Sequence, residues 1–426
     1  MKKLLLPILL IAAILLSACA AAEKAVEPTA TPTAAPTQAA ASGDDQTAAT
    51  KAITSEENPC VPFNIIDYIL GEPYPGLPEV TDEDYIFGPN DAPVTFIVYS
   101  DPQCPYCARF DPIMNTFAAQ YPDDVRVVFR FFPLSSIHDK ARLSSQAMVA
   151  AGLQGKFDEF RVWLFLHQNK DPNNPAVANL ADTEFWSGLP PADFADWLKN
   201  RVSDLGIDPD QLVKDMLSDA VVKKVEDAET SAEAIGIPGT PSLFVNGYAW
   251  KENQMGVDIL STYTNLILSR KNGYESCPAM VIDQSKSYSA VIATSKGDIN
   301  VNLFADKAPY AVNSFVFLAR DGWYNDLPIL ATNLVVLTGD PTSTGYGGPG
   351  YAYKDEVDNN LSFNEPGLLA TIGFLPGSNG STFVISKGSS PIEQIRTIFG
   401  KVSSGLDVVN NLTNGDKLIS VTITEK

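Results

Sequence analysis

The stretch that decides the fold reads Val94-Thr95-Phe96-Ile97-Val98-Tyr99-Ser100-Asp101-Pro102-Gln103-Cys104-Pro105-Tyr106-Cys107. A β-branched, apolar run leads into two thiols, and a helix-like stretch continues from Ala108 to Gln120. The order predicted is strand, dithiol, helix. A thiol at a helix start faces unsatisfied N–H groups and the positive end of the helix dipole, and both favour the thiolate. The spacing fits a redox pair. Its rival is half of a zinc site, which needs two further ligands. The chain offers only His138 and His167 as histidines and no second C-x-x-C. The pair is therefore expected to carry redox chemistry, with no metal.

Downstream, Val125-Arg126-Val127-Val128-Phe129-Arg130-Phe131-Phe132 reads as a second strand, and a long helical region follows from about Ala141 to Glu233. Strand character returns at Ser242-Leu243-Phe244-Val245-Asn246-Gly247. This succession argues for an α/β domain with a central sheet and a helical insertion.

Tyr99 to Cys107 resembles the active-site segment of the DsbA-like branch of the thioredoxin superfamily. So do Arg130-Phe131-Phe132-Pro133-Leu134, Gln154-Gly155-Lys156-Phe157 and Gly236-Ile237-Pro238-Gly239-Thr240-Pro241. The resemblance spans about half the chain, residues 59–278. It implies a cis Thr240-Pro241 bond beside the dithiol, leaving neighbouring backbone free to pair with an extended substrate. It also implies thiol–disulfide exchange without a cofactor. Cys104, at an exposed helix start, would form the mixed disulfide and Cys107 would resolve it. Pro105, Tyr106 and Thr240 would line the substrate face, with Pro241 completing the site. One position departs from the family pattern: Val98 stands where an acid is common, six residues before the first cysteine. Asp101 is a nearer carboxylate, either a turn former or a proton carrier.

The N-terminus carries Met1-Lys2-Lys3 and an apolar run from Leu4 to Leu16, too short for a membrane span. It ends in Leu16-Ser17-Ala18-Cys19, which resembles the lipobox of bacterial lipoproteins. That resemblance implies a signal peptide over 1–18, acylation of Cys19, and attachment to a lipid bilayer outside the cytoplasm. Residues 19–58, rich in Ala, Thr and Pro, read as a disordered linker. A coil of roughly 40 residues spans about 35 Å, enough for a stalk, though filler of no required length reads equally well. With Cys19 lipidated, the remaining cysteines Cys60 and Cys277 form the natural structural disulfide in an oxidising compartment, expected to staple the ends of the 59–278 domain. In the alternative, one of them exchanges with the dithiol. The chain-entropy treatment gives so long a loop on the order of 4–5 kcal/mol.

From Tyr288 the texture turns to short alternating strands with Gly, Asn and Pro clusters, a mainly β unit read as a barrel over residues 286–426. Helical patches are expected at 311–319 and 392–395. This segment resembles cyclophilin, through Gly297-Asp298-Ile299, Lys307-Ala308-Pro309, Val312-Asn313-Ser314-Phe315-Val316, Gly339-Asp340-Pro341-Thr342 and Ile398-Phe399-Gly400-Lys401-Val402. The family's catalytic arginine is absent after Tyr324-Asn325-Asp326-Leu327. Leu337 and Thr382 stand where glutamines are usual, Val384 for a phenylalanine, Gly373 for an asparagine and Arg396 for a histidine. Each lost preorganised donor costs roughly 10²–10³ in rate, so a degenerate, peptide-binding domain is expected.

A formal charge of −21 argues against nucleic acid as a partner. The expected partners are unfolded or partly folded proteins with cysteines, and a membrane or small-molecule redox partner. Two other readings stand beside an oxidoreductase: a foldase that also isomerises proline, and a non-catalytic chaperone or binding lipoprotein.

Overall fold

The computed structural model describes residues 52–170, 174–357, 361–388 and 396–426. The leader, Cys19, most of the linker and the expected helical patch at 392–395 lie outside them. Two compact units result, one of Phe63–Tyr274 and one combining the segment up to Pro62 with Glu275–Lys426.

Strand β1 (Cys60–Pro62) therefore does not begin the redox unit, as the 59–278 boundary anticipated. It pairs antiparallel with Tyr351–Tyr353 of the barrel unit, Val61 opposite Ala352. Residues 52–58, read as the end of the linker, also pack there. Thr54 is buried and donates its hydroxyl to Gly377 O at 2.9 Å, while Ile53 N–H donates to Pro376 O. Gly377 (φ +68°) lies so close that a Cβ would meet Thr54 Oγ1 at 2.3 Å, so only glycine fits. Backbone pairing to a barrel strand, which the composition of this segment does not encode, is the reason for both corrections.

The redox unit runs α1 (Ile65–Leu70), β2 (Tyr85–Phe87), β3 (Val94–Ser100), α2 (Pro105–Ala118), β4 (Val125–Phe131), α3 (Ala141–Leu153) and α4 (Phe157–Leu166). It continues with α5 (Phe194–Lys199), α6 (Pro209–Met216), α7 (Asp219–Ala234), β5 (Ser242–Val245), β6 (Tyr248–Ala249) and α8 (Val257–Ser269). Its sheet has the order β2-β4-β3-β5-β6, with only β3 and β4 parallel. Central β3 is buried at almost every position, the continuous apolar reading expected of a strand covered on both faces. The insertion α3–α7 builds a core around Met148, Phe160, Leu164, Trp186, Phe194 and Leu212.

The barrel unit adds β7 (Tyr288–Thr294), β8 (Gly297–Leu303), α9 (Pro309–Arg320), β9 (Leu327–Pro328), β10 (Leu330–Ala331), β11 (Val335–Thr338) and β12 (Tyr351–Tyr353). It ends with β13 (Leu368–Thr371), β14 (Phe383–Ser386), β15 (Ile398–Ser404), α10 (Leu406–Asn411) and β16 (Lys417–Glu425). Nine strands run in the order β10-β11-β14-β13-β15-β8-β7-β16-β9. The two edge strands are separated in sequence by Ile329 alone, so the sheet nearly closes on itself. Along β7, Tyr288, Ala290, Ile292 and Thr294 alternate inward, the period-two pattern that specifies a strand with one covered face. Among the described residues no helix is long and apolar enough to cross a membrane.

Candidate functional site

The site forms where β3 ends and α2 begins. Cys104 is the N-cap of α2 with extended backbone (φ −71°, ψ 122°), and Pro105 fills the first turn, where no N–H is needed. Cys107 lies one turn inside. Both are free thiols, and both are buried. Cys104 is 3% exposed, less open than its place at the helix start suggests. The covering element is the loop before β5, whose Thr240-Pro241 peptide bond is cis. The Cys104 thiol donates to Thr240 O at 3.3 Å across 136 residues of sequence. The structure thus brings Cys104, Cys107, Thr240 and Pro241 together, with Tyr106 66% exposed beside them.

The two thiols are electrostatically unlike. Hydrogen bonding from Cys107 lowers Cys104 to about 6 against the opposing pull of burial, and Thr240 and the N–H groups of Cys107 and Tyr106 contribute. The Thr240 hydroxyl is buried and makes no hydrogen bond to another described residue in this geometry. Cys107 moves the other way. Burial pushes it well above the ordinary thiol value, and the neighbouring Cys104 adds to the rise. Such a pair holds one sulfur ionised near neutral pH and one that keeps its proton.

Asp101 is fully buried and holds the turn before the dithiol. Its carboxylate accepts from Gln103 N–H at 2.8 Å, from Leu134 N–H at 3.1 Å, and bonds His138 Nδ1 at 2.5 Å. Its own N–H points to Cys107 Sγ at 3.5 Å. By sequence His138 is only a possible zinc ligand, and no spacing signal links it to Asp101. Among the described residues no group of three His, Cys, Asp or Glu is arranged to hold a metal ion.

Val98 lines a cavity of ≈ 40 Å³ behind Cys107, together with Ser100, Asp111, Asn115, Val127 and Arg161. That volume suffices for water, which needs roughly 10–15 Å³ by this measure. Asp111 and Arg161 form a buried ion pair there, and Arg161 also donates to Asn115 Oδ1 at 2.9 Å.

Cys60 and Cys277 form a disulfide, with Cα atoms 6.1 Å apart. Both belong to the barrel unit, so the bond joins the segments flanking the redox unit rather than that unit's own ends. The positions expected to form the barrel's peptide site are apolar or engaged. Leu337 and Val384 are cross-strand neighbours on β11 and β14, packed in one cluster with Leu368, Ala370 and Ile398. Thr382 is buried, and Arg396 donates to Gly373 O at 2.7 Å.

The family model for thioredoxin matches residues 80–262, and that for cyclophilin type peptidyl-prolyl cis-trans isomerase matches residues 289–425. Peptidyl-prolyl cis-trans isomerase-like 2 of Rhizopus delemar is 35% identical over 171 residues, 36% of this chain, and the match spans only 31% of that relative's length. Peptidyl-prolyl cis-trans isomerase A of Mycobacterium tuberculosis is 35% identical over 144 residues, covering 30% of this chain and 79% of that protein. Among solved structures, oxidised BdbD from Bacillus subtilis matches at 22% identity and a TM-score of 0.37, covering 46% of this chain and 99% of that one. The chain belongs to the cyclophilin type peptidyl-prolyl cis-trans isomerase family through residues 289–425, and it carries a thioredoxin-like domain ahead of them.

Proposed function

We propose that the chain is a thiol–disulfide oxidoreductase of the DsbA-like kind, acting on protein cysteines through Cys104 and Cys107. The observation that carries this reading is the placement of the two thiols: Cys104 caps the N-terminus of α2 and donates to Thr240 O at 3.3 Å, while Cys107 lies buried one turn inside, and the lowered Cys104 and raised Cys107 agree with it. A stabilised Cys104 thiolate stabilises the reduced form and so makes the disulfide form the stronger oxidant. The favoured direction is donation of a disulfide to substrate thiols. A substrate thiolate attacks Cys104 Sγ, and Cys107 leaves with the electron pair and takes up a proton. A second substrate thiolate then attacks the mixed disulfide, releasing Cys104 as thiolate and the substrate as disulfide.

The setting proposed is outside the cytoplasm, with Cys19 lipidated in a bilayer and a separate redox partner reoxidising the dithiol. The cyclophilin domain serves as a peptide-binding module with weak or absent isomerase activity, a reading supported by Leu337 and Val384 in its apolar cluster. Cys107→Ser tests the main reading, because it removes the resolving thiol. Incubated with a reduced, unfolded protein after activation of Cys104 as a mixed disulfide with a small thiol, it should accumulate a covalent Cys104–substrate adduct. Absence of any adduct, with Cys104 still alkylatable, would favour a binding protein whose dithiol is not catalytic.

A further inference from the structure

Exchange makes Cys107 lose a proton each time it attacks a mixed disulfide on Cys104, and regain one each time it leaves. Cys107 is 1% exposed, so that proton needs a carrier inside the protein. Position 98 is valine, and the Asp101 carboxylate is committed to Gln103, Leu134 and His138. The cavity of ≈ 40 Å³ behind Cys107 holds a different carboxylate. Of its lining residues, the ionisable ones are Cys107 and Asp111 on α2 and Arg161 on α4, while those from β2, β3 and β4 carry no charge. Cys107 and Asp111 are four residues apart on one helix, a spacing that sets Cβ atoms about 5–6 Å apart on the same face. Ser100, Asp111 and Asn115 supply the polar partners that a water in the cavity needs.

The charges around Asp111 do not cancel. Arg161 pairs with Asp111, and Asn115 Nδ2 donates to Asp111 Oδ2 at 3.2 Å. The same guanidinium donates from Nη2 to Asp158 Oδ1 at 2.6 Å. Two carboxylates share one cation, so the cluster becomes neutral, not positive, when it takes up a proton. Asp111 is buried, whereas the Asp158 side chain is 54% exposed. Glu159 beside it is paired with Lys156 Nζ at 3.1 Å. Burial, and then the Glu159 charge, raise Asp158, which agrees with negative charge in excess here. We propose that Asp111 is the base that takes the Cys107 proton, through water in the cavity that both side chains line. The proposal rests on the oxidoreductase reading above and concerns the resolution of a mixed disulfide on Cys104. The Cys107 S–H bond breaks and its proton passes through water to the Asp111 carboxylate. The sulfur's electron pair forms the Cys107–Cys104 bond, the older S–S bond breaks, and the departing sulfur leaves as a thiolate. In disulfide donation the same path runs in reverse and returns the proton to Cys107. Arg161 is the positioning residue, holding the carboxylate at the cavity wall.

The test follows one turnover of the reduced full chain with oxidised glutathione, quenched with acid and read by mass spectrometry. The Cys104–glutathione adduct forms when Cys104 attacks and decays when Cys107 resolves it. Asp111→Asn should slow the decay about 10²-fold near neutral pH, the scale of a lost general base, and leave the formation unchanged. In the unmodified protein the decay should be nearly flat across the neutral range, because a carboxylate is already ionised there. In Asp111→Asn it should climb about tenfold per pH unit, since Cys107 must then ionise unaided. Glu159→Gln, on the neighbouring surface, should change neither step. Deuterated water needs no variant: it should slow the decay in the unmodified protein and spare the formation, in which no proton moves. An unchanged decay in Asp111→Asn, a slowed decay that keeps the flat profile, formation and decay slowed alike, or a decay blind to deuterium would each overturn the proposal. If the unmodified protein forms no adduct, or forms one that never resolves to Cys104–Cys107, the oxidoreductase reading fails instead, and the two failures are distinct.

Discussion

At the scale of single residues, only Pro105 and Tyr106 separate Cys104 from Cys107, yet one is a cap and the other sits in the core. Alkylation of Cys104 should rise through about pH 6 and level off by neutral pH, while Cys107 stays unreactive in the same range. The sign follows from the lowered value: above it the thiolate dominates, and the stabilisation it brings to the reduced form is lost as pH falls through it. Thr240→Val removes the buried hydroxyl with little change in size. It should move the alkylation midpoint upward, and an unchanged midpoint would show that the hydroxyl does not serve the sulfur. The dithiol at a helix start could be read directly from the chain, and Pro241 only through the resemblance to the DsbA-like family. The Asp101–His138 pair could not, because its members are 37 residues apart and meet only when the loop after β4 folds back.

At the scale of elements, strand β3 and helix α2 place the dithiol, and the face of α2 behind it is pinned by a charge pair rather than by apolar contacts alone. Arg161, on α4, reaches Asp111 on α2 and lies over the Phe87 ring at 4.9 Å. Removing one partner of a buried pair leaves the other uncompensated, so Arg161→Ala should cost about 3–5 kcal/mol in denaturant unfolding of the redox unit. A loss below about 1 kcal/mol would mean that water in the adjoining cavity already compensates Asp111. The helical insertion is legible in the sequence as a long helical region between two strands. The pairing of β1 with β12 was not. Three residues beside a low-complexity tract carry no periodicity, and their partners lie nearly three hundred residues away.

At the scale of the whole molecule, the redox unit is inserted between two segments of the barrel unit, and the Cys60–Cys277 bond joins those segments beside the insertion. Replacing both cysteines with serine should lower the stability of the barrel unit by roughly 2–5 kcal/mol. It should leave the Cys104 midpoint unmoved. A shifted midpoint would mean that these cysteines exchange with the dithiol. The order of the two domains was legible because each carries motifs spread along its length. Their boundary was not, since the residues that extend the barrel look like linker.

The most direct test of the central claim is the equilibrium of the Cys104/Cys107 pair against glutathione, followed by mass spectrometry of the alkylated protein. The account predicts a single two-electron transition, more oxidising than about −200 mV, confined to these two cysteines while Cys60–Cys277 stays intact. A dithiol as reducing as thioredoxin, about −270 mV, would contradict disulfide donation, and no transition at all would contradict the oxidoreductase itself.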